Sequence, residues 1–108
     1  MDQLTITEKT GANYLLFECN GAINAYTVSE FQQKVYSAIK TSNVVLDLSQ
    51  VSEIDNSGMG VIMAAFNDGE DAGHTLYLMA PSNESERAIE ATGFSKVLHI
   101  ISTATEVV

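Results

Sequence analysis

Cysteine is almost missing from this chain: there is one, Cys19, in 108 residues. A single thiol excludes an internal disulfide and cannot build a zinc site alone. It fits a reducing compartment. Basic residues are scarce too, with 5 Lys and Arg against 14 Asp and Glu and a formal net charge of −9. Phosphate backbones are gripped by clustered Lys and Arg, so no nucleic acid is expected as a partner. An anionic membrane surface is disfavoured for the same reason. No apolar run approaches the roughly 20 residues that span a bilayer. The opening MDQLTITEKT has neither the basic start nor the apolar core of a signal peptide. The expected location is the cytoplasm.

Motifs are missing as well. The chain has no Walker-type glycine loop and no G-x-G-x-x-G after the first strand, so nothing supports a dinucleotide fold. His74 and His99 are isolated from any second ligand at metal spacing. His99 reads as a structural histidine and His74 as a solvated loop residue. Cys19, within a strand, reads as a small buried hydrophobe. Asp68, Glu70 and Asp71 lack the twelve-residue spacing of a calcium loop and read as a solvated helix end. Neither a metal nor a cofactor is expected.

What is present is enough apolar material, 45% of residues, to bury a core in one domain over residues 1–108. Residues 4–8 alternate apolar and polar and predict a strand. A turn with Gly11 and Asn13 leads to a second strand over 14–20, which gives an antiparallel hairpin broken at Gly21. Val28, Phe31, Val35, Ala38 and Ile39 form one helical stripe, with Thr27 or Ser29 as candidate cap. VVLDL at 44–48 is a short apolar run suited to a strand covered on both faces. A loop is then expected, followed by a helix on Met59, Ile62, Met63 and Phe66 that Gly69 and Gly73 loosen and end. TLYLM at 75–79 is another strand, Ser85 to Thr92 a short helix stopped by Gly93-Phe94, and VLHII at 97–101 a last strand. The order ββαβαβαβ predicts an α/β fold: a mixed sheet with an N-terminal antiparallel hairpin followed by β-α crossovers.

The segment Asp55-Asn56-Ser57-Gly58-Met59-Gly60 falls where strand becomes helix. Its plain reading is a helix start, with Ser57 or Asp55 as cap and glycines in a tight turn. Ser57 also stands where a hydrolase nucleophile would, but D-N-S-G is not G-x-S-x-G and no histidine is placed as its base. Catalysis is therefore not expected.

Three blocks carry a resemblance. Val44 to Ser49, then Ile54 to Ile62 through the D-N-S-G-M-G run, resembles the signature of the STAS domain, in which an apolar strand ending Asp-Leu-Ser leads to Asp-Ser-Ser/Thr-Gly-Leu-Gly. Gly21-Ala22-Ile23-Asn24-Ala25 is similar to that family's Gly-x-Leu-Asp-Ala segment. Pro81 to Phe94 is similar to its final helix and turn. Asn24 stands in place of the usual Asp, Asn56 of Ser, and Met59 of Leu, which leaves Ser57 as the one phosphorylatable residue of the run. The chain also stops early against the family's last helix.

The resemblance, nearest to the anti-sigma factor antagonists, implies a phosphorylation-controlled adaptor. Unmodified, such a protein holds an anti-sigma factor that is also a serine kinase of the histidine-kinase-like ATPase fold, and so frees a sigma factor. Phosphorylation at the residue matching Ser57 breaks the complex, and a PP2C-type serine phosphatase resets it. Asn24, Ala25, Asp55, Asn56, Gly58, Met59 and Gly60 are the implied partner-binding residues. A STAS module fixed in a transporter or signalling assembly, or a nucleotide-binding domain, remains the alternative.

Overall fold

In the computed structural model, residues 3–107 are described. The hairpin forms from β1 (Leu4–Thr10) and β2 (Tyr14–Ile23). Helix α1 (Val28–Ile39) then crosses to β3 (Asn43–Ile54), α2 (Asn56–Ala72) to β4 (Leu76–Met79), and α3 (Asn83–Ala91) to β5 (His99–Ile101). A single 3-10 turn, Ala104–Glu106, follows. The strand order is β1-β2-β3-β4-β5, antiparallel at the first pairing and parallel at the others.

Sequential order makes every crossover step in the same direction. Right-handed connections then put all three helices on one face of the sheet. The main core shows this: Phe17, Ile23, Leu46, Leu48 and Leu78 from the strands pack with Phe31, Val35, Ile62 and Ile89 from the helices. The stripe read from α1 is the buried one, with Phe31, Val35, Ala38 and Ile39 all inside. The opposite face has a smaller cluster of Leu16, Val45 and Tyr77, against which Ala104 and Val107 of the C-terminal segment pack. That second cover explains why VVLDL is apolar on both sides.

Strand β1 runs two residues past its expected end, β5 starts two residues late at His99, and three other elements depart further from the sequence expectation. Strand β2 runs through Gly21 to Ile23, and β3 runs on through Ser49 to Ile54, where a loop was expected. Their pairing slips between Glu18 and Asn20, and again between Gly21 and Ala22. Such bulges keep a strand going while breaking the period-2 pattern. Gly21 has φ of +119°, and a side chain there would run into the carbonyl of Gln3, just before β1. Gly69, expected to loosen α2, is buried inside it. The helix continues to Ala72 and ends at Gly73 in the left-handed conformation, with the His74 N–H donating to the Gly69 carbonyl at 2.8 Å.

Gly69 is a packing requirement, since a Cβ there would lie 2.8 Å from the His74 carbonyl oxygen and 3.1 Å from Ile39 Cγ1. Gly69→Ala is expected to lower stability by about 1–3 kcal/mol. Gly60→Ala, in the same helix with nothing within 4 Å, is expected to raise it by roughly 0.5–1 kcal/mol. Denaturant melts of the two variants check the contrast. Equal effects would mean that helix propensity alone governs both positions.

Candidate functional site at the start of α2

In an open parallel sheet the carboxyl ends of the strands face a common edge where connecting loops gather. The Asp55–Gly60 run leaves the carboxyl end of β3 there. The β2–α1 turn, Asn24 to Thr27, leaves the end of β2 beside it, with Ile23 and Ile54 paired across the two strands.

Asp55 joins these two segments. It is the N-cap of α2, in extended conformation at ψ −172°. Its Oδ1 accepts from the Ser57 N–H at 2.9 Å, the Gly58 N–H at 3.1 Å and the Ser57 hydroxyl at 2.5 Å. Its Oδ2 accepts from the Ala25 N–H at 3.2 Å, and its own N–H donates to the Ile23 carbonyl at 3.1 Å. The carboxyl pKa is held below its ordinary 3.8, first by the Ser57 hydroxyl and then by the backbone N–H groups of Gly58, Ala25 and Ser57. Asp55 is therefore an anion at neutral pH. Both Asp and Ser cap helices well; here Asp55 does it, and Ser57 is the second helical residue, with a half-exposed side chain.

The other implied contact residues divide by burial. Ala25, Asn56 and Gly60 are exposed. Asn24, Gly58 and Met59 are buried and shape the site from beneath. Gly58 has no room for a side chain, because a Cβ would lie 2.8 Å from both Ile23 Cγ2 and Ile54 Cγ1. Asn24 is spent internally: its Oδ1 accepts from the Tyr26 N–H at 2.9 Å, and its carbonyl accepts from the N–H groups of Thr27 and Val28. Thr27 stands at the N-cap of α1 but makes no side-chain cap; its hydroxyl donates to the Ala22 carbonyl at 2.7 Å. A hollow of about 210 Å³ lies between Asp55, Asn56 and Met59 on one side and Ala88, Ala91 and Thr92 of the α3 end on the other.

Sequence reasoning missed Tyr26, the most exposed large apolar residue of the described chain. It also took His74 for a solvated residue, whereas its Nδ1 lies 2.7 Å from the Ile39 carbonyl, a contact in which that nitrogen donates. His99 is exposed on the edge strand, its ring 5.9 Å from Phe66 and 6.0 Å from Tyr77. Cys19 is buried, and burial raises its thiol pKa to about 12, as expected for an inert hydrophobe. No helix among the described residues is long and apolar enough to cross a membrane.

The stretch of chain that holds Ser57 is one-sided in charge. Residues 41–86 contain eight of the acidic side chains, Glu53 and Asp55 among them, and no Lys or Arg. The one ion pair among the described residues, Lys9 with Glu18, is on the hairpin.

Removing the cap tests this geometry. Asp55→Ala should cost about 1–2 kcal/mol, and Ser57→Ala less than half as much, because the cap acceptor survives. A group with a lowered folded pKa stabilises above its unfolded value and loses that contribution as pH falls through the folded one. The stability gap between wild type and Asp55→Ala should therefore be full at neutral pH and shrink below about pH 4. Urea melts at several pH values measure it, and a gap that widens in acid would contradict the assignment.

The STAS domain profile matches residues 3–107. An anti-sigma-B factor antagonist of Listeria monocytogenes is 32% identical over 82 residues, 74% of this chain and 72% of that protein. Among solved structures, an anti-sigma factor antagonist from Mycobacterium paratuberculosis superposes with a TM-score of 0.80 at 20% identity, covering 96% of this chain and 90% of that one. The Bacillus cell fate determinant SpoIIAA in its phosphorylated form gives 0.71 at 17% identity, covering 98% and 95%. At those identities the structural matches speak for the fold. Together with the profile and the Listeria relative, they lead to one conclusion: this chain belongs to the STAS domain family, among the relatives of the anti-sigma factor antagonists.

Proposed function

We propose that this chain is an anti-sigma factor antagonist, a protein-binding switch set by phosphorylation of Ser57. The observation that carries the reading is the placement of Ser57: a half-exposed hydroxyl at a helix start, bonded to an ionised cap and lying in a stretch of chain without cations. Unmodified, the exposed surface formed by Ala25, Asp55, Asn56, Ser57 and Gly60 binds an anti-sigma factor that is also a serine kinase of the histidine-kinase-like ATPase fold. The sigma factor is thereby released in the cytoplasm. A PP2C-type phosphatase restores the unmodified state.

Phosphorylation adds about −1.5 to −2 charge at neutral pH. Helix starts commonly receive phosphate on their free N–H groups, but here Asp55 already occupies those of Ser57 and Gly58. No Lys or Arg from residues 41–86 can neutralise the new charge. A docked partner would have to desolvate phosphate and carboxylate together, so it leaves while the domain stays folded. A protein of the same fold has been solved in a phosphorylated form, which supports this view.

The chain works by binding and not by turnover. His74 lies just beyond the far end of α2, roughly 25 Å along the helix axis from Ser57, and its ring is engaged with Ile39.

Two measurements bear on the switch. With ATP and the ATPase-fold serine kinase, label should enter at Ser57 and nowhere else. Ser57→Ala should hold that kinase persistently. Ser57→Asp, with about half the phosphate's charge, should bind more weakly with an unchanged melting temperature. Tight binding by Ser57→Asp together with label elsewhere would defeat the proposal. The net charge of −9 further predicts that association slows as salt rises, since screening shortens to about 8 Å at physiological ionic strength. Stopped-flow association rates across a salt series read this, and a flat series would remove electrostatic steering from the account.

A further inference from the structure

We propose that Tyr26 is the anchor by which this chain seats on its anti-sigma factor, and that the partner offers an apolar pocket rimmed by Arg or Lys. The inference rests on the function proposed above and deepens it by naming the contact that supplies affinity.

Tyr26 is 88% exposed, yet its backbone is held from several sides. The Tyr26 N–H donates to Asn24 Oδ1 at 2.9 Å, and Asn24 itself is only 4% exposed. The preceding Ala25 N–H donates to Asp55 Oδ2. The following Thr27 donates from its hydroxyl to the Ala22 carbonyl and from its N–H to the Asn24 carbonyl. A large ring with two side-chain torsions on a fixed turn loses little entropy when a partner buries it, which is why Tyr is enriched among interface hot spots. The other exposed apolar residues, Phe94, Val97 and Ile100, are on the α3–β5 connection and the edge strand, and none of them is on the turn that Asp55 ties to Ser57.

The occupant follows from continuity and charge. Asp55 touches the Tyr26 turn through Oδ2 and Ser57 through Oδ1, so both lie within one footprint of ordinary size, about 800 Å² per partner. The acids on the segments that meet at this turn are Glu30 in the first turn of α1, Glu53, which pairs with Ala22, and Asp55, which accepts from the Ala25 N–H. Residues 20–33 contain no Lys or Arg. A basic rim on the partner complements these acids, and an Arg there can stack on the ring. Asn24 contributes through its oxygen, so the Asn in place of the family's Asp preserves the turn without adding charge beneath the site.

The experiment titrates Tyr26→Ala, Tyr26→Phe and Asn24→Asp against the ATPase-fold serine kinase that labels Ser57, with thermal melts of each. Tyr26→Ala should weaken binding at least about 30-fold without lowering the melting temperature. Tyr26→Phe and Asn24→Asp should stay within about 3-fold of wild type, a bound set by less than one tenfold step. If Tyr26→Ala binds like wild type while Ser57 is still labelled, the anchor is wrong and the function stands. If Tyr26→Phe is as weak as Tyr26→Ala, the contact is polar and the apolar pocket is wrong. If wild type is neither bound nor labelled, the proposed function falls and the anchor with it.

Discussion

The site depends on one carboxylate. Asp55 caps α2, fixes the Ser57 hydroxyl and holds the Ala25 N–H, while its own N–H reaches Ile23. Hydrogen bonds to an ionised acceptor are stronger than neutral ones, and these share a single acidic group across segments about 30 residues apart in the chain. Without it, the β2–α1 turn and the α2 start would be two loops at the same sheet edge. With it they form one surface, so a modification at Ser57 is felt where Ala25 and Tyr26 are presented. The cap also keeps Asp55 charged, which gives a later phosphate a fixed anion to oppose.

Much of the fold was legible because its signals are periodic. The α1 stripe and the doubly covered VVLDL run follow from side-chain phase alone, and both are buried as read. The extension of β3 through Ser49 to Ile54 was not legible. Register slips against β2 put polar Ser49, Gln50 and Ser52 in a strand without alternation. The Ser49 N–H there donates to Asp47 Oδ1, a local contact that reads as a turn from sequence. Gly69 misled for a related reason: a glycine inside a helix looks like a weak point until its neighbour Ile39, from another helix, is in place.

The site was legible as a motif and not as a set of roles. Asp55 and Ser57 are both capping types, and only the extended backbone at Asp55 separates cap from second helical residue. Asn24 could be a contact or a support by chemistry, and its burial decides that it holds the turn. Tyr26 went unremarked because large aromatic residues usually pack inside. Its exposure follows from the turn, which uses the backbone N–H groups on both sides of the ring and leaves the side chain no interior to enter. His74 found its partner 35 residues away, beyond any local pattern.

The arrangement also bears on why a phosphate here would act on a partner and not on the fold. Switches that reorganise a domain usually give the phosphate a new internal home, such as an Arg cluster or an open helix start. Neither is on offer in the sequence around Ser57, since Asp55 fills the helix start and residues 41–86 carry no Lys or Arg. The remaining stabilising medium for the added charge is water. A free domain supplies water to a half-exposed side chain at little cost, and its buried core has no reason to change. A complex that excludes that water bears the desolvation instead, so the same cap that orders the site makes the modified site incompatible with being covered.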